Sequence, residues 1–336
     1  MDKVRHVKTP ILVAGGGPAG AAAAIAARLS GADVRVCERR SSCRHKVCGE
    51  FLSPHVAEIL SSLQVWDEFA RSRPQKIVRS VLHLGRHTKT WNLSEPAWGL
   101  SRLALDRLLL DKAVSLGAAL RRGQVCDLSG GSEARIIVAS GRRCVTAASD
   151  RLFGFKAHFS GPTDDMVELF FHAHGYAGVS CVEDGITNVC GIAPESLLRE
   201  YDFDFDELLS HRGPLRDRLS PLRRTMDWIT TGPLSFSAPG PAGDASVYPA
   251  GDALGFVDPY TGSGIMNALL TGRLAGIAAS RNTPSSEYLE HCQSMLAQPF
   301  RVSSILRHVV EHPAAHWLAQ CVPGETLFRW TRASPA

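Results

Sequence analysis

The stretch that most restricts this chain is its beginning. A short continuous apolar run, Pro10 to Ala14, stops abruptly at Gly15-Gly16-Gly17-Pro18-Ala19-Gly20. An alanine-rich helical run follows from Ala21 to Leu29, Gly31 stops it, and Asp33 to Glu38 reads as a second strand. Short apolar runs bounded by turn residues suit buried parallel strands. Gly15-x-Gly17-x-x-Gly20 therefore lies between a strand and a helix, with an acid, Glu38, near the roughly 20-residue offset of a dinucleotide fingerprint. The glycines permit a tight turn, close approach of a pyrophosphate and helix–strand packing, and Glu38 can take ribose hydroxyls. Pro18, Ala19 and Arg39 complete the candidate set here. An acid at position 38 speaks against a bound 2′-phosphate. The chain is thus committed to an α/β architecture.

A second glycine-bearing block spans Val247 to Leu270 (VYPAGDALGFVDPYTGSGIMNALL). A short strand ends in Gly251-Asp252; Pro259, Gly262 and Gly264 follow, and then a helix-like run with Ile265 and Asn267 near its start. Glycines let backbone approach a ligand, a helix N-terminus favours an electron-rich partner, and an aspartate at a strand end accepts bonds from sugar-like hydroxyls. That combination suits the ribityl chain, pyrophosphate and ring edge of a flavin dinucleotide.

Between the two blocks lies Ser42 to Pro54 (SCRHKVCGEFLSP). Arg44, His45 and Lys46 precede Cys48-Gly49-Glu50, and cationic neighbours favour a thiolate. Two readings of Cys48 stand side by side: a reactive thiol, or a small buried residue beside a turn glycine. His45 is either a proton donor or a solvated imidazole. Val56 to Phe69 has helical periodicity; Lys76 to Leu93 reads as a hairpin through Gly85 to His87. Leu100 to Leu116 is a periodic helix with Arg102 at its start, facing a cofactor or capping surface charge. A short strand, Ala134 to Ala139, follows; then Phe153 to Ala193 alternates like strands, with an Asp184-Gly185 hairpin signal. His172 and His174 share a sheet face, but no third ligand stands at a suitable spacing, so no metal is expected. Leu197 to Leu222 and Tyr288 to Arg332 read as helical, the latter broken by Pro313 and Pro323.

Composition narrows the function classes. A formal charge of +4, without a basic run interleaved with aromatics, points away from nucleic acid. Nine cysteines without a C-x-x-C pair fit a reducing cytoplasm rather than a disulfide scaffold or zinc site. No apolar run reaches the roughly 18 residues of a membrane span, and the amino terminus lacks a signal-peptide stretch.

Three separated blocks (GGGPAG with Glu38, RHKVCGEFLSP, and strand–Gly-Asp–PYTGSG–helix) resemble the FAD-dependent oxidoreductases of the p-hydroxybenzoate hydroxylase fold. The branch they look most like is the geranylgeranyl reductase-like proteins, and the likeness covers most of residues 8 to 280. It implies a Rossmann-like FAD-binding domain with an inserted, mainly antiparallel substrate-binding sheet and a helical C-terminus. The expected division is 1–72, 99–152 and 230–284 for the FAD-binding domain, 73–98 and 153–229 for the substrate domain, and 285–336 for the tail. It also implies that Gly15, Gly17 and Gly20 hold pyrophosphate and Glu38 the adenosine ribose. Arg102 matches the arginine near the phosphates or ribityl chain, and Gly251-Asp252 the ribityl side. Pro259, Gly262, Gly264 and Ile265 would lie along the ring, with Asn267 opening the helix behind it. Cys48-Gly49 matches the Cys-Gly pair beside the flavin, with Cys48 and His45 as candidate catalytic residues. The chain departs from the pattern at Ala139-Ser140-Gly141, where many members carry Asp-Gly. It also lacks the W-x-W-x-I-P motif of flavin halogenases and the aromatic-Trp-Phe-Pro motif of archaeal polyprenyl reductases. With one dinucleotide fingerprint, reducing equivalents would come from transient NAD(P)H or a separate reductase. The expected activity is oxidation–reduction of an apolar or aromatic small molecule, monooxygenation first, carbon–carbon reduction second and a non-catalytic flavin-binding module third.

Overall fold

The computed structural model describes residues 10–126, 135–142, 151–172, 175–240, 244–256, 262–311 and 322–330. Pro259, His174 and Pro313, singled out above, lie outside them.

Two sheets organise the chain. The first is parallel, in the order β14-β7-β1-β2-β6. Its strands are β1 (Ile11–Ala14), β2 (Val34–Glu38), β6 (Ala119–Arg122), β7 (Ile136–Val138) and β14 (Val247–Pro249). The helix after β1, α1 (Pro18–Leu29), starts at the proline, three residues before the alanine run. Proline fits there because its missing N–H is one that the first helical turn leaves unpaired anyway.

The alanines have a packing reason. Helix α8 (Gly264–Arg281) lies against α1, and a Cβ at Gly272 would stand 2.1 Å from Ala19 O; one at Gly276 would stand 2.3 Å from Ala23 O. Two helices this close admit only small residues. The core around them also takes Ile11, Val13, Val36, Leu105, Leu109 and Ile137. Helix α4 (Arg102–Ser115), capped by the Ser101 hydroxyl on Ala104 N–H, packs against α1 as well.

The second sheet has nine strands, ordered β12-β8-β11-β10-β9-β4-β5-β3, with β13 also on β8. Here β3 is Phe51–Leu52, β4 Gln75–Leu84, β5 His87–Gly99, β8 Leu152–Ser160, β9 Met166–His172, β10 Gly175–Cys181, β11 Ile186–Pro194, β12 Arg223–Arg224 and β13 Ile229–Leu234. Among the described residues its pairings are antiparallel except β4 with β9. Alternation along the strands gives two faces. Phe155, Ala157, Phe159, Val179 and Val189 bury one face under three short helices, α5 (Glu195–Glu200), α6 (Phe205–Ser210) and α7 (Gly213–Leu219). The opposite face carries Leu84, Leu169, Phe171, Tyr176 and Ile192 at one end. At its other end Lys156 pairs with Cys190, and His158 with Asn188.

Two long helical readings are divided in the structure. Residues 56–69 form α2 (Val56–Ser62) and α3 (Trp66–Arg71), separated where Gln64 takes a left-handed φ of 56°. Residues 197–222 become α5, α6 and α7, with left-handed Asp202 and Phe203 at the first break. Apolar spacing alone does not reveal such breaks, because each piece keeps the helical phase of the next. The tail comprises α9 (Ser285–Glu311), which runs through Pro299, and α10 (Gly324–Trp330).

Candidate active site

At the first glycine turn the backbone does the work. Gly15 takes φ 113°, and a Cβ there would meet Ala139 O at 2.3 Å. A Cβ on Gly20 would lie 1.8 Å from Gly15 O, so strand, turn and helix fit together only without side chains at both positions. Gly17 is the N-cap of α1 and offers no side-chain cap, which leaves the first-turn amides directed outward. Glu38 reaches across the turn: Gly16 N–H donates to Oε2 at 2.8 Å and Arg40 N–H to Oε1 at 3.0 Å. A carboxylate has about four acceptor positions, so capacity remains for hydroxyl donors. Arg39 is exposed beside it.

The second block folds back onto this turn. Gly251 takes φ 60°, and a Cβ there would lie 2.8 Å from Ala19 Cβ. Its N–H donates to Thr271 Oγ1 at 2.9 Å, which ties the turn to α8. Burial pushes the Asp252 carboxyl above its usual range, against the opposing pull of the Arg102 and Arg142 guanidiniums. Gly262 takes φ 65° and Gly264 opens α8. Ile265 is buried. Asn267 is the fourth helical residue rather than the first, and both atoms of its buried amide lack a partner among the described residues.

Arg102 joins the two ends. It is the first residue of α4, and its guanidinium makes two bonds to Asp106, at 2.9 and 3.1 Å. Its charge is also favoured by the nearby Cys48 thiol, and its Nη2 would lie 3.8 Å from a Cβ on Gly17. Burial opposes its charge, but Asp106 and Cys48 outweigh burial and raise its pKa. The cationic neighbour of Cys48 is thus Arg102. This corrects the expectation for the preceding basic cluster, since Lys46 Nζ instead bonds Asp106 at 2.7 Å and Arg44 is exposed.

Beyond Cys48 the structure reveals a buried ionic cluster. Glu50 has a left-handed φ of 54°, is 0% exposed, and sits between α4 and β8. Arg102 N–H donates to Oε1 at 2.6 Å, where the helix start adds a favourable dipole, and Lys156 donates to the same oxygen. His158 Nε2 lies 2.7 Å from Oε2. Burial raises the Glu50 carboxyl, but the His158 bond and the Lys156 charge bring it below its usual range. His45 stands edge-on to His158 with ring centroids 4.9 Å apart, and its buried Nδ1 has no partner among the described residues. Burial, then His158 and Lys156, lower the His45 pKa. Its surroundings thus disfavour the charged imidazolium. Asn188 donates to the carbonyls of Cys48 and Gly49 at 3.1 and 3.0 Å, fastening this loop to β11. Ligand atoms of His45, Glu50 and His158 lie within 4.8 Å of one another, but the Lys156 ammonium on the same carboxylate disfavours a metal cation there.

The structure thus brings Gly17, Cys48 and Asp252 close to Arg102, with His45 beside His158. Glu50, Lys156, His158, Asn188 and Asp106 were missed as site residues. The available signal was Lys156 and His158 at period two within an otherwise apolar strand.

These features fit a flavin dinucleotide. The uncapped α1 start and glycine backbone suit a pyrophosphate, Glu38 a ribose, and the orphaned Asn267 amide a partner with both donor and acceptor edges. Comparison with known proteins agrees. Residues 8–131 match the family described as FAD binding domain. A menaquinone reductase of Mycobacterium tuberculosis is 27% identical over 314 residues, covering 79% of this chain and 75% of that protein. Among solved structures, the flavin-dependent brominase Bmp2 superposes with TM-score 0.82 at 17% identity, over 96% of this chain and 93% of that one. A geranylgeranyl bacteriochlorophyll reductase-like protein from Thermoplasma acidophilum gives 0.70 at 20%, over 95% and 89%. At these identities the structures speak for fold alone.

Proposed function

Starting from a chain with an FAD-binding domain and the p-hydroxybenzoate hydroxylase fold, we propose that it is an FAD-dependent reductase of a double bond in an apolar or aromatic molecule. The flavin supplies hydride; the protein supplies orientation, a dry cavity and a proton. Gly15, Gly17 and Gly20 would hold the pyrophosphate, Glu38 the ribose, and Asp252 and Asn267 the ribityl and ring side.

The observation that carries this reading is the buried cluster of proton-bearing groups beside Cys48, whose Sγ accepts from Glu50 N–H at 3.4 Å. Hydride transfer to a carbon–carbon or quinone double bond leaves a negative charge that a protein acid must quench. Cys48 and His45 lie at the end of the Glu50–Lys156–His158 cluster, and the apolar end of the same sheet face offers Leu84, Leu169, Phe171, Tyr176 and Ile192 as a substrate wall. The likeness to a menaquinone reductase supports the same chemistry. Monooxygenation, placed first from the sequence, has no comparable residue in its favour. NAD(P)H, binding transiently, or a separate reductase would refill the flavin.

Anaerobic turnover tests the choice. The holoprotein, reduced beforehand and mixed with a short-chain naphthoquinone without oxygen, should reoxidise at once. Reoxidation that requires oxygen and yields an oxygenated product would favour the monooxygenase instead.

A further inference from the structure

The buried cluster holds more than a fixed ion pair needs. Glu50 and Lys156 form an ion pair with both side chains fully buried, and His158 completes the bonds to that carboxylate. His45 stands edge-on to His158, ring centroids 4.9 Å apart, outside that set of bonds. His158 is 7% exposed, while His45 is half-buried, with its Nδ1 enclosed and without a partner among the described residues. Two imidazoles this close can share one added proton, and a negative charge arriving nearby favours its uptake.

We propose that the His45–His158 pair takes up one proton when the flavin is reduced and holds it for delivery to the substrate. The balance is simple. Two electrons and one proton entering the cofactor leave it with one extra negative charge; the pair binds a second proton from solvent and restores neutrality. Hydride then leaves to a substrate carbon, the adjacent atom of the former double bond takes the pair's proton, directly or through Cys48, and both cofactor and pair return to their starting charge. The groups that set the pair's affinity are Lys156 on the same strand, Glu50 and Cys48 from the loop, Arg102 from α4, Glu183 from the turn after β10, and Cys190 from β11. Glu183 is itself fixed, accepting from Ser101 N–H at 2.7 Å. The inference rests on the cofactor reading above but not on the substrate.

Redox potentiometry of the bound flavin tests it. Each proton taken up per two electrons tilts the midpoint potential by about 30 mV per pH unit, a tenfold change in equilibrium constant for a two-electron couple. Wild-type holoprotein should give about 60 mV per pH unit near pH 7, and the double variant His45→Gln/His158→Gln about 30. A wild-type slope of about 30, or a slope of about 60 in the variant, overturns the proposal. Should the variant fail to hold flavin, the wild type still decides: electrode reduction through a proton-independent viologen mediator, in a separated cell with weak buffer and a pH indicator, should consume two protons per flavin, and consumption of one overturns it. Wild-type protein that binds no flavin at all would remove the cofactor reading along with it.

Discussion

The two ends of this site are built by opposite means. Around Gly15 to Gly20 side chains are withheld, and the groups that face a ligand are backbone amides and one carboxylate. Around Glu50 the chain crowds charged side chains into a space closed to water. At the first end nothing can be added; at the second nothing can be removed. Arg102, within reach of Gly17 and bonded through its backbone N–H to Glu50, is where the two constructions meet.

Substitutions sharpen that contrast. The largest effect is expected for Glu50→Ala, which strands the Lys156 ammonium without its anion: about 3–5 kcal/mol lost in denaturant unfolding. Replacing both partners, Glu50→Leu with Lys156→Met, should recover most of it, because apolar packing substitutes well for a buried pair. If the double variant is no better than the single, the cluster is not a neutralised unit. At the other end, Gly20→Ala places a Cβ against the Gly15 carbonyl and should cost about 1–3 kcal/mol along with flavin retention. Gly213→Ala, where nothing lies within 4 Å, should stay within about 1 kcal/mol of wild type.

Smaller effects separate binding from chemistry. Asp252→Ala should weaken FAD by about 1.5–3 kcal/mol, read by flavin titration, with the fold intact. Cys48→Ala should leave FAD bound yet slow anaerobic turnover; unchanged turnover would make Cys48 a packing residue. The smallest effect is a pH trend. His45 binds its proton less readily when folded, so the unfolded chain holds more protons as pH falls below the ordinary value of 6.5, and stability declines there. Glu50, whose folded pKa is lowered, adds stability above its ordinary 4.5 that disappears only as pH drops through the folded value. The His45→Gln variant should lose the first decline and keep the second.

The same contrast explains what the sequence discloses. The Gly15–Gly20 turn is local: strand, glycines, helix and Glu38 follow one another within 30 residues, so their spacing carries the geometry. The parallel first sheet and the mainly antiparallel second one were legible for that reason. Glu50 and His158 are 108 residues apart, and only the pairing of β8 with β11 and the docking of α4 bring them together. Lys156 and His158 look like ordinary polar positions of a strand until their face is known to be buried. The basic run before Cys48 misled in the same way: Lys46 is near in sequence but turned toward Asp106, whereas Arg102 is distant in sequence and adjacent in space.

The central claim is that both constructions serve one flavin. The most direct measurement is the visible absorption of the protein titrated with FAD, in wild type and in Cys48→Ala. The account predicts one FAD per chain, a band whose position shifts when the thiol is removed, and binding lost in Gly20→Ala. Protein that takes up no FAD, or a bound-flavin band identical in wild type and Cys48→Ala, would contradict it.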